Sequence, residues 1–212
     1  WKVKSKSIMA VEWDDKDEDE LTEAIEAAEG DGDLVMIIGI LSHSANLGDG
    51  AAVAEAACDA LLRATSSVVK SAEAGALGAG EVILKVMSVF MEEAAIVEVC
   101  LGCLKNIGRD TEACARLHAV ARGEGGGGSC AALVVKAMND HAENDEPTLQ
   151  EQACLAIEAL AATHTELAAA FVAAGAPAAL EAAKTFITNE RNKTYPEKAL
   201  AKLTEYGDRL GV

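Results

Sequence analysis

The residues best placed for chemistry are three cysteines and a histidine near the middle of the chain. Cys100 and Cys103 are followed by Cys114 and His118, which gives the spacing C-x2-C-x10-C-x3-H. Thiolates and imidazoles in sets of four are the ligands of structural zinc sites, so zinc binding is one alternative for this chain. A thioredoxin-type redox site is not indicated, because Cys100 and Cys103 fall inside a predicted helix rather than after a strand.

Other motifs lack the context that their chemistry needs. Gly123, Gly125 and Gly128 have the spacing of a dinucleotide-binding loop, but no predicted strand precedes them and no Lys of a phosphate-binding loop follows them. No Ser or Cys is paired with a His at a spacing typical of nucleophilic catalysis. We therefore predict no catalytic residue, no cofactor and no enzyme activity. The histidines lie near predicted helix ends, where they are expected to bond terminal carbonyls or to face solvent; they are His43, His118, His141 and His164.

The elements that carry these residues are predicted to be helices. Apolar residues make up 50% of the 212-residue chain but aromatic residues only 3%, so Ala, Val and Leu supply most of the apolar surface. Ala, Leu and Glu favour helices, and the sequence has no sustained alternation typical of strands. The predicted helices are Asp19–Ala28, Asp33–Ser42, Ala51–Ser66, Ala79–Glu92, Ala95–Ile107, Asp110–Ala121, Ala131–His141, Thr148–Ala162, His164–Ala173, Pro177–Thr188 and Pro196–Tyr206.

Four of these helices share one pattern. A small residue is followed by a second at i+3, by Leu or Ile at i+4 and by an apolar or small residue at i+7, which places all four on one helix face. The starting positions are 43, 53 and 46 residues apart, and a Gly-rich loop at 123–129 lengthens the middle interval. The copies are Ala57, Ala60, Leu61, Ala64; Cys100, Cys103, Leu104, Ile107; Ala153, Ala156, Ile157, Leu160; and, more loosely, Ala199, Lys202, Leu203, Tyr206. This period is typical of stacked helical repeats.

On these residues the chain resembles the armadillo-repeat family, which is close to HEAT repeats. The best match is the third copy, where 150–161 is similar to the family's innermost helix and Ala174-Gly175-Ala176 is similar to its glycine corner. The resemblance implies an all-α fold, a right-handed α-solenoid of about four armadillo-like repeats. It implies a single domain over 19–212 after an extended acidic and basic leader at 1–18. The repeats would cover roughly 30–74, 75–122, 130–173 and 174–212, with the loop 123–129 between the second and third.

The same resemblance predicts where a partner would bind. Family members hold extended peptides in a concave groove lined by Trp and Asn from the innermost helices. The matching Trp positions here hold Asp59, Gly102, Leu155 and Ala201, and the matching Asn positions hold Arg63, Asn106, Ala159 and Glu205. Because only Asn106 matches, the resemblance predicts a groove but not the peptide clamp of the family.

Charge and composition narrow the kind of partner. The chain has 35 acidic and 18 basic residues, a net charge of -17, which would repel a nucleic-acid backbone. No apolar run is long enough to cross a bilayer. We therefore expect a protein-binding scaffold or adaptor, either by itself or as a structural subunit of a larger assembly. It would act through the groove or the helix ridges, with aromatic anchors at Trp1, Trp13, Tyr195 and Tyr206.

Two alternatives stay open at this point. The first is a zinc-binding or enzyme-associated regulatory module that uses Cys100, Cys103, Cys114 and His118. The second concerns location: the cysteines fall at apolar helix positions, which favours reduced thiols in the cytoplasm. The chain does not begin with Met, so an organelle reached after cleavage of a targeting peptide is the alternative location.

Overall fold

A computed structural model describes residues 13, 16–47, 50–120, 128–142 and 147–210, and that part of the chain is helical without strands. The prediction of an all-α fold is confirmed. Twelve helices lie within these ranges: α1 (Glu18–Asp31), α2 (Leu34–Leu47), α3 (Ala51–Ala64), α4 (Val68–Ala76), α5 (Ala79–Val89), α6 (Ala94–Ile107), α7 (Thr111–Val120), α8 (Cys130–Asp140), α9 (Pro147–Thr163), α10 (Thr165–Ala173), α11 (Ala176–Phe186) and α12 (Tyr195–Leu210).

Local capping explains where α1 begins and ends. The Asp17 side chain accepts a hydrogen bond from the Glu20 backbone N–H, and the Glu20 carboxylate accepts one in return from the Asp17 N–H. This reciprocal pair satisfies two amides that the first turn leaves without helical partners. Gly32 then ends the helix in the left-handed conformation, with a φ of 69°, where other residues would be strained. The acidic leader thus runs directly into a capped helix.

Helix α4 is the one that sequence patterning missed. Its first two residues, Val68 and Val69, are β-branched and 60% and 77% exposed, so no apolar stripe marks it as a helix. Ser67 caps the helix by accepting a hydrogen bond from the Lys70 N–H at 3.2 Å. Ser71, inside α4, donates to the Thr65 carbonyl at 2.8 Å and so ties the helix to the end of α3. Polar contacts, rather than apolar periodicity, fix this helix.

The helices contact each other in three series along the chain. In the first series α1 packs on α3, α3 on α6, α6 on α9 and α9 on α12. In the second α2 packs on α5, α5 on α8 and α8 on α11, and in the third α4 packs on α7 and α7 on α10. From α3 onward, each helix of the first series packs on the helix three positions further along the chain. The four helices that carry the repeated sequence pattern, α3, α6, α9 and α12, pack in succession.

Small residues let these helices approach closely. Gly102 of α6 faces Leu62 of α3, and a methyl group added at Gly102 would lie 3.1 Å from Leu62 Cδ1. Gly75 of α4 is tighter still, because an added Cβ would lie 2.6 Å from the Cβ of Ala113 in α7. The buried apolar residues of all twelve described helices form one continuous cluster. Its content of Ala, Val and Leu follows from this close packing.

Two sequence predictions need correction or lie beyond the described residues. Trp13, predicted to belong to an extended leader and to be a free aromatic anchor, is buried with 8% of its surface exposed. Removing the large apolar indole ring from water stabilises the fold, and this free energy would be lost if Trp13 stayed in a solvated leader. Residues 1–12, 14 and 15 of the leader, Trp1 among them, and 123–127 of the Gly-rich loop lie outside the described residues, as does the side chain of Tyr206.

Among the described residues, no single helix is long and apolar enough to cross a bilayer. Helices α10 and α11 reach that length only as a pair, and their axes are bent by 77° at the break between them.

Candidate functional site

The residues predicted to line a groove lie on α3, α6, α9 and α12, four helices that pack side by side. Their exposure differs along this series. Arg63, Ala201 and Glu205 are exposed, whereas Gly102 and Asn106 are buried. Asp59, Leu155 and Ala159 are half-buried. The structure brings the predicted helices together, but the two positions on α6 are covered by neighbouring side chains.

Asn106, the only residue that matches the family's peptide-binding ladder, has its amide occupied. The side chain is 5% exposed, and Nδ2 lies 3.3 Å from both the Leu62 carbonyl oxygen and Thr65 Oγ1. Leu62 is near the end of α3, where carbonyls have no helical partner. Asn106 therefore bonds the end of the neighbouring helix, and the expectation that it faces a groove does not hold.

Gly102 is covered from both sides. Leu62 of α3 and the Gln152 amide oxygen of α9 lie 3.1 Å and 3.6 Å from the place where its Cβ would be. Lys105, one turn later on α6, donates a hydrogen bond to the same Gln152 oxygen at 3.3 Å. Burial of the ammonium group lowers the pKa of Lys105, and the positive charge of Arg109 lowers it further. Side chains of three helices thus close over the middle of this surface.

At the ends of the series the predicted residues form ion pairs. The Arg63 guanidinium binds both carboxylate oxygens of Glu29 on α1, with 2.8 Å between Nη2 and Oε2. The hydrogen bond from Arg63 lowers the pKa of Glu29. Glu205 accepts hydrogen bonds at 3.0 Å from Lys202, one turn earlier on α12. These pairs are on the surface, where an ion pair contributes less than about 1 kcal/mol.

A row of carboxylates was missed by the sequence analysis. Glu55, Glu98, Glu151 and Glu197 each stand two residues before the start of the repeated pattern, at the same intervals of 43, 53 and 46. Each is also four residues before a predicted Trp position, so it lies on the same helix face. Glu55 and Glu197 are exposed, and Glu98 and Glu151 are half-buried. We call these four residues the carboxylate row. The repeated spacing is visible in the sequence. The family pattern assigns binding roles only to the Trp and Asn positions, so it does not single out the glutamates four residues earlier.

The four candidate zinc ligands do not form a ligand set. Cys103 Sγ donates to the Cys58 carbonyl at 3.5 Å, whereas Cys114 Sγ donates to the Gly108 carbonyl at 3.4 Å. The Cys100 sulfur faces Cys58 instead, and the His118 ring faces another histidine. Within the residues that the structure describes, no three His, Cys, Asp or Glu side chains are grouped to hold a metal ion. The spacing C-x2-C-x10-C-x3-H is therefore better explained by helix packing.

Burial also opposes metal binding by these thiols. Desolvation raises the pKa of Cys103 well above its ordinary value, and contact with Cys58 does the same for Cys100. Burial raises the pKa of Cys114 to about 12. Zinc binds the thiolate, so binding would require each of these three thiols to lose its proton in an apolar environment.

The histidines have different environments. His141 ends α8, as a cap would, and its Nε2 lies 2.8 Å from the carbonyl oxygen of Met91. The rings of His118 and His164 lie 5.6 Å apart between centroids, and the Nδ1 atoms of both are buried without a hydrogen bond. His164 Nδ1 is 3.3 Å from a Glu166 oxygen but is not aligned for a hydrogen bond. The Thr165 hydroxyl lowers the pKa of Glu166, and the two imidazoles act in the same direction.

A comparison of the chain with protein-family models, with curated proteins and with solved structures finds no match. The functional assignment therefore depends on the side chains and the packing described above.

Proposed function

We propose that this protein is a non-catalytic scaffold or adaptor that binds a protein partner along the surface shared by α3, α6, α9 and α12. The observation that carries the proposal is the carboxylate row, which repeats one charged position on four helices that pack in succession. A structural role alone does not require the same charge at each repeat. A partner that extends along the helices would meet one carboxylate per repeat.

We also propose that the architecture is a right-handed, armadillo-like α-solenoid of about four repeats. Three series of contacts support it, since each helix packs on its counterpart in the next repeat. Left-handed glycines support it too, because Gly78 and Gly175 precede α5 and α11 at corresponding corners, with φ of 85° and 90°. In such a stack α3, α6, α9 and α12 would form the concave side.

The chemistry of the row points to the class of partner. Four carboxylates on a chain of net charge -17 favour a protein segment that carries Lys or Arg at intervals, and they disfavour nucleic acid. Half-buried Leu155 and Val99 would add apolar contact beside the charges. The amide of Asn106 is buried and bonded within the protein. Recognition would therefore depend on side-chain and apolar contacts, rather than on a ladder of amide bonds to the partner backbone. We place this activity in the cytoplasm, where buried free thiols stay reduced.

Selection from a random peptide library would test the proposal. We expect the selected peptides to be enriched in Lys and Arg, and their affinity to fall as salt concentration rises. A double variant, Glu55→Gln with Glu151→Gln, should bind these peptides at least about 10-fold more weakly, because each lost charge pair contributes about 1 kcal/mol.

The matched control changes two exposed carboxylates on other helices, Glu112→Gln in α7 and Glu181→Gln in α11. It removes the same charge from the chain but should leave peptide affinity within about twofold. Peptides that lack basic residues, or that bind both double variants equally, would rule out the carboxylate row as the binding surface.

A further inference from the structure

Two buried thiols on neighbouring helices are in contact. Cys58 of α3 and Cys100 of α6 have their sulfur atoms 3.5 Å apart, although 42 residues separate them in the sequence. Both side chains have 0% of their surface exposed. Sulfur atoms at this distance touch, and a disulfide needs a further approach of about 1.5 Å to reach its bond length of about 2.0 Å.

The surrounding residues select this pair over others. Cys103 stands one helical turn after Cys100, yet its sulfur is directed to the Cys58 carbonyl oxygen, 3.5 Å away. The Cys114 sulfur is bonded to the carbonyl of Gly108. The helices α3 and α6 are close here, since a Cβ added at Gly102 of α6 would lie 3.1 Å from Leu62 Cδ1 of α3. Among the described thiols, this is the contact from which a disulfide needs the least rearrangement.

We propose that Cys58 and Cys100 are a modification site, at which a peroxide converts the two thiols into a disulfide that fastens α3 to α6. In the first step one thiolate attacks the peroxide, becomes a sulfenic acid and releases hydroxide. In the second step the other thiol attacks the sulfenic sulfur, forms the S–S bond and releases water. Overall, two thiols and one hydrogen peroxide give one disulfide and two waters.

Burial determines how this site reacts. Contact with Cys58 and burial in the apolar core raise the pKa of the Cys100 thiol, so the resting pair is slow to oxidise. Oxidation proceeds when the helices open locally, since a small peroxide then reaches the sulfur. When the helices close again, the second sulfur meets the sulfenic acid and traps it before further oxidation. The product links two successive helices of the first series, so it restrains their separation.

The experiment exposes the folded, reduced protein to hydrogen peroxide, blocks remaining thiols in denaturant, and maps disulfide-linked peptides by mass spectrometry. We expect the peptide pair joined through Cys58 and Cys100 to exceed any other linked pair by at least about tenfold, since the other thiols must first move. The link should disappear on treatment with a reducing agent, and the oxidised protein should melt at a higher temperature than the reduced one.

Variants separate this pair from the C-x2-C motif. Cys58→Ala should abolish the linkage, whereas Cys103→Ala should retain it, and circular dichroism confirms that each variant is folded. The wild-type mapping needs no variant, so it stands even if a substitution disturbs the core. Two results would overturn the proposal: a linkage between Cys100 and Cys103 as the main product, or no linkage after prolonged peroxide treatment in mild, sub-denaturing urea, where local opening is frequent.

Discussion

Asn106 illustrates how a single polar side chain joins two helices of this protein. Its amide reaches from α6 to the Leu62 carbonyl and the Thr65 hydroxyl at the end of α3. Thr65 is itself buried and donates to the Leu61 carbonyl at 2.7 Å. The end of α3 is therefore satisfied by side chains in a place that water does not reach. Removing one member of such a network leaves buried polar groups without partners.

We predict that Asn106→Ala lowers the free energy of unfolding by about 1–3 kcal/mol, because it leaves the Leu62 carbonyl without this donor. The measurement is urea denaturation followed by circular dichroism. Asn46→Ala is the matched control, since Asn46 is exposed and its two side-chain hydrogen bonds, to the Ser42 carbonyl and from the Lys85 ammonium, lie on the surface; it should change stability by less than about 0.5 kcal/mol. Equal effects of the two substitutions would contradict the structural role assigned to Asn106.

At the scale of helices, the contact between α4 and α7 depends on one missing methyl group. The Cβ that Gly75 lacks would lie 2.6 Å from the Ala113 Cβ, a distance that real Cβ atoms do not show. Both carbons are fixed to backbone, so neither can swing aside. Glycine here is required by close approach of two helices, although in an isolated helix alanine would be the better residue.

We predict that Gly75→Ala destabilises the protein by about 1–3 kcal/mol because α4 and α7 must separate. Adding Ala113→Gly should recover part of this loss, which a double-mutant cycle of thermal or urea unfolding measures as coupling. Gly30→Ala in α1 provides the control, since nothing lies within 4 Å of its added Cβ, and it should be neutral or stabilising. If Gly75→Ala behaves like Gly30→Ala, the tight contact is not present.

The same scale explains what could be predicted from the sequence. Eleven of the helices follow from apolar periodicity and strong helix formers, and the succession of α3, α6, α9 and α12 follows from one repeated pattern. Helix α4 could not be predicted in this way. Its first residues, Val68 and Val69, are exposed and form no apolar stripe, and the hydrogen bonds that hold it involve Ser67 and Ser71. It packs on α5, α6 and α7, and local patterns do not contain those contacts.

Side-chain roles were harder to predict than helices. Asn106 was placed on a groove because its position matches a family pattern, yet its partners are 41 and 44 residues away. The spacing of Cys100 and Cys103 suggested a zinc site shared with Cys114 and His118, whereas Cys100 meets Cys58 of another helix. Spacing along a chain reports which face a residue occupies. It does not report which residue of the next helix covers that face.

Across the whole molecule, the buried thiols make stability depend on pH. Burial raises the pKa of Cys114, Cys130 and Cys154 to about 12, from an ordinary value of 9.0. In the unfolded chain these thiols lose their protons near pH 9, while the folded protein keeps them. Above that pH the unfolded state binds fewer protons, so stability falls as pH rises. The stabilisation is fully present below pH 9 and is lost progressively toward pH 12.

We predict that each of these thiols contributes a decline of up to about 1.4 kcal/mol per pH unit above pH 9. The lowered pKa of Lys105 acts in the opposite direction, because loss of its proton relieves a buried charge. Urea denaturation at a series of pH values, with a reducing agent present, measures the slope. Cys130→Ala should make it shallower, and a stability independent of pH between about 8 and 10 would contradict the prediction.

The burial of Trp13 has a practical consequence for anyone who follows unfolding by light. Both tryptophans of the chain, Trp1 and Trp13, precede α1, and Trp13 is packed into the core at that end. The emission of Trp13 therefore reports on the core next to the start of α1. Loss of α10 to α12 would change the far-ultraviolet dichroism while the emission of Trp13 stayed constant. A lag between the two signals would identify the end of the protein at which unfolding begins.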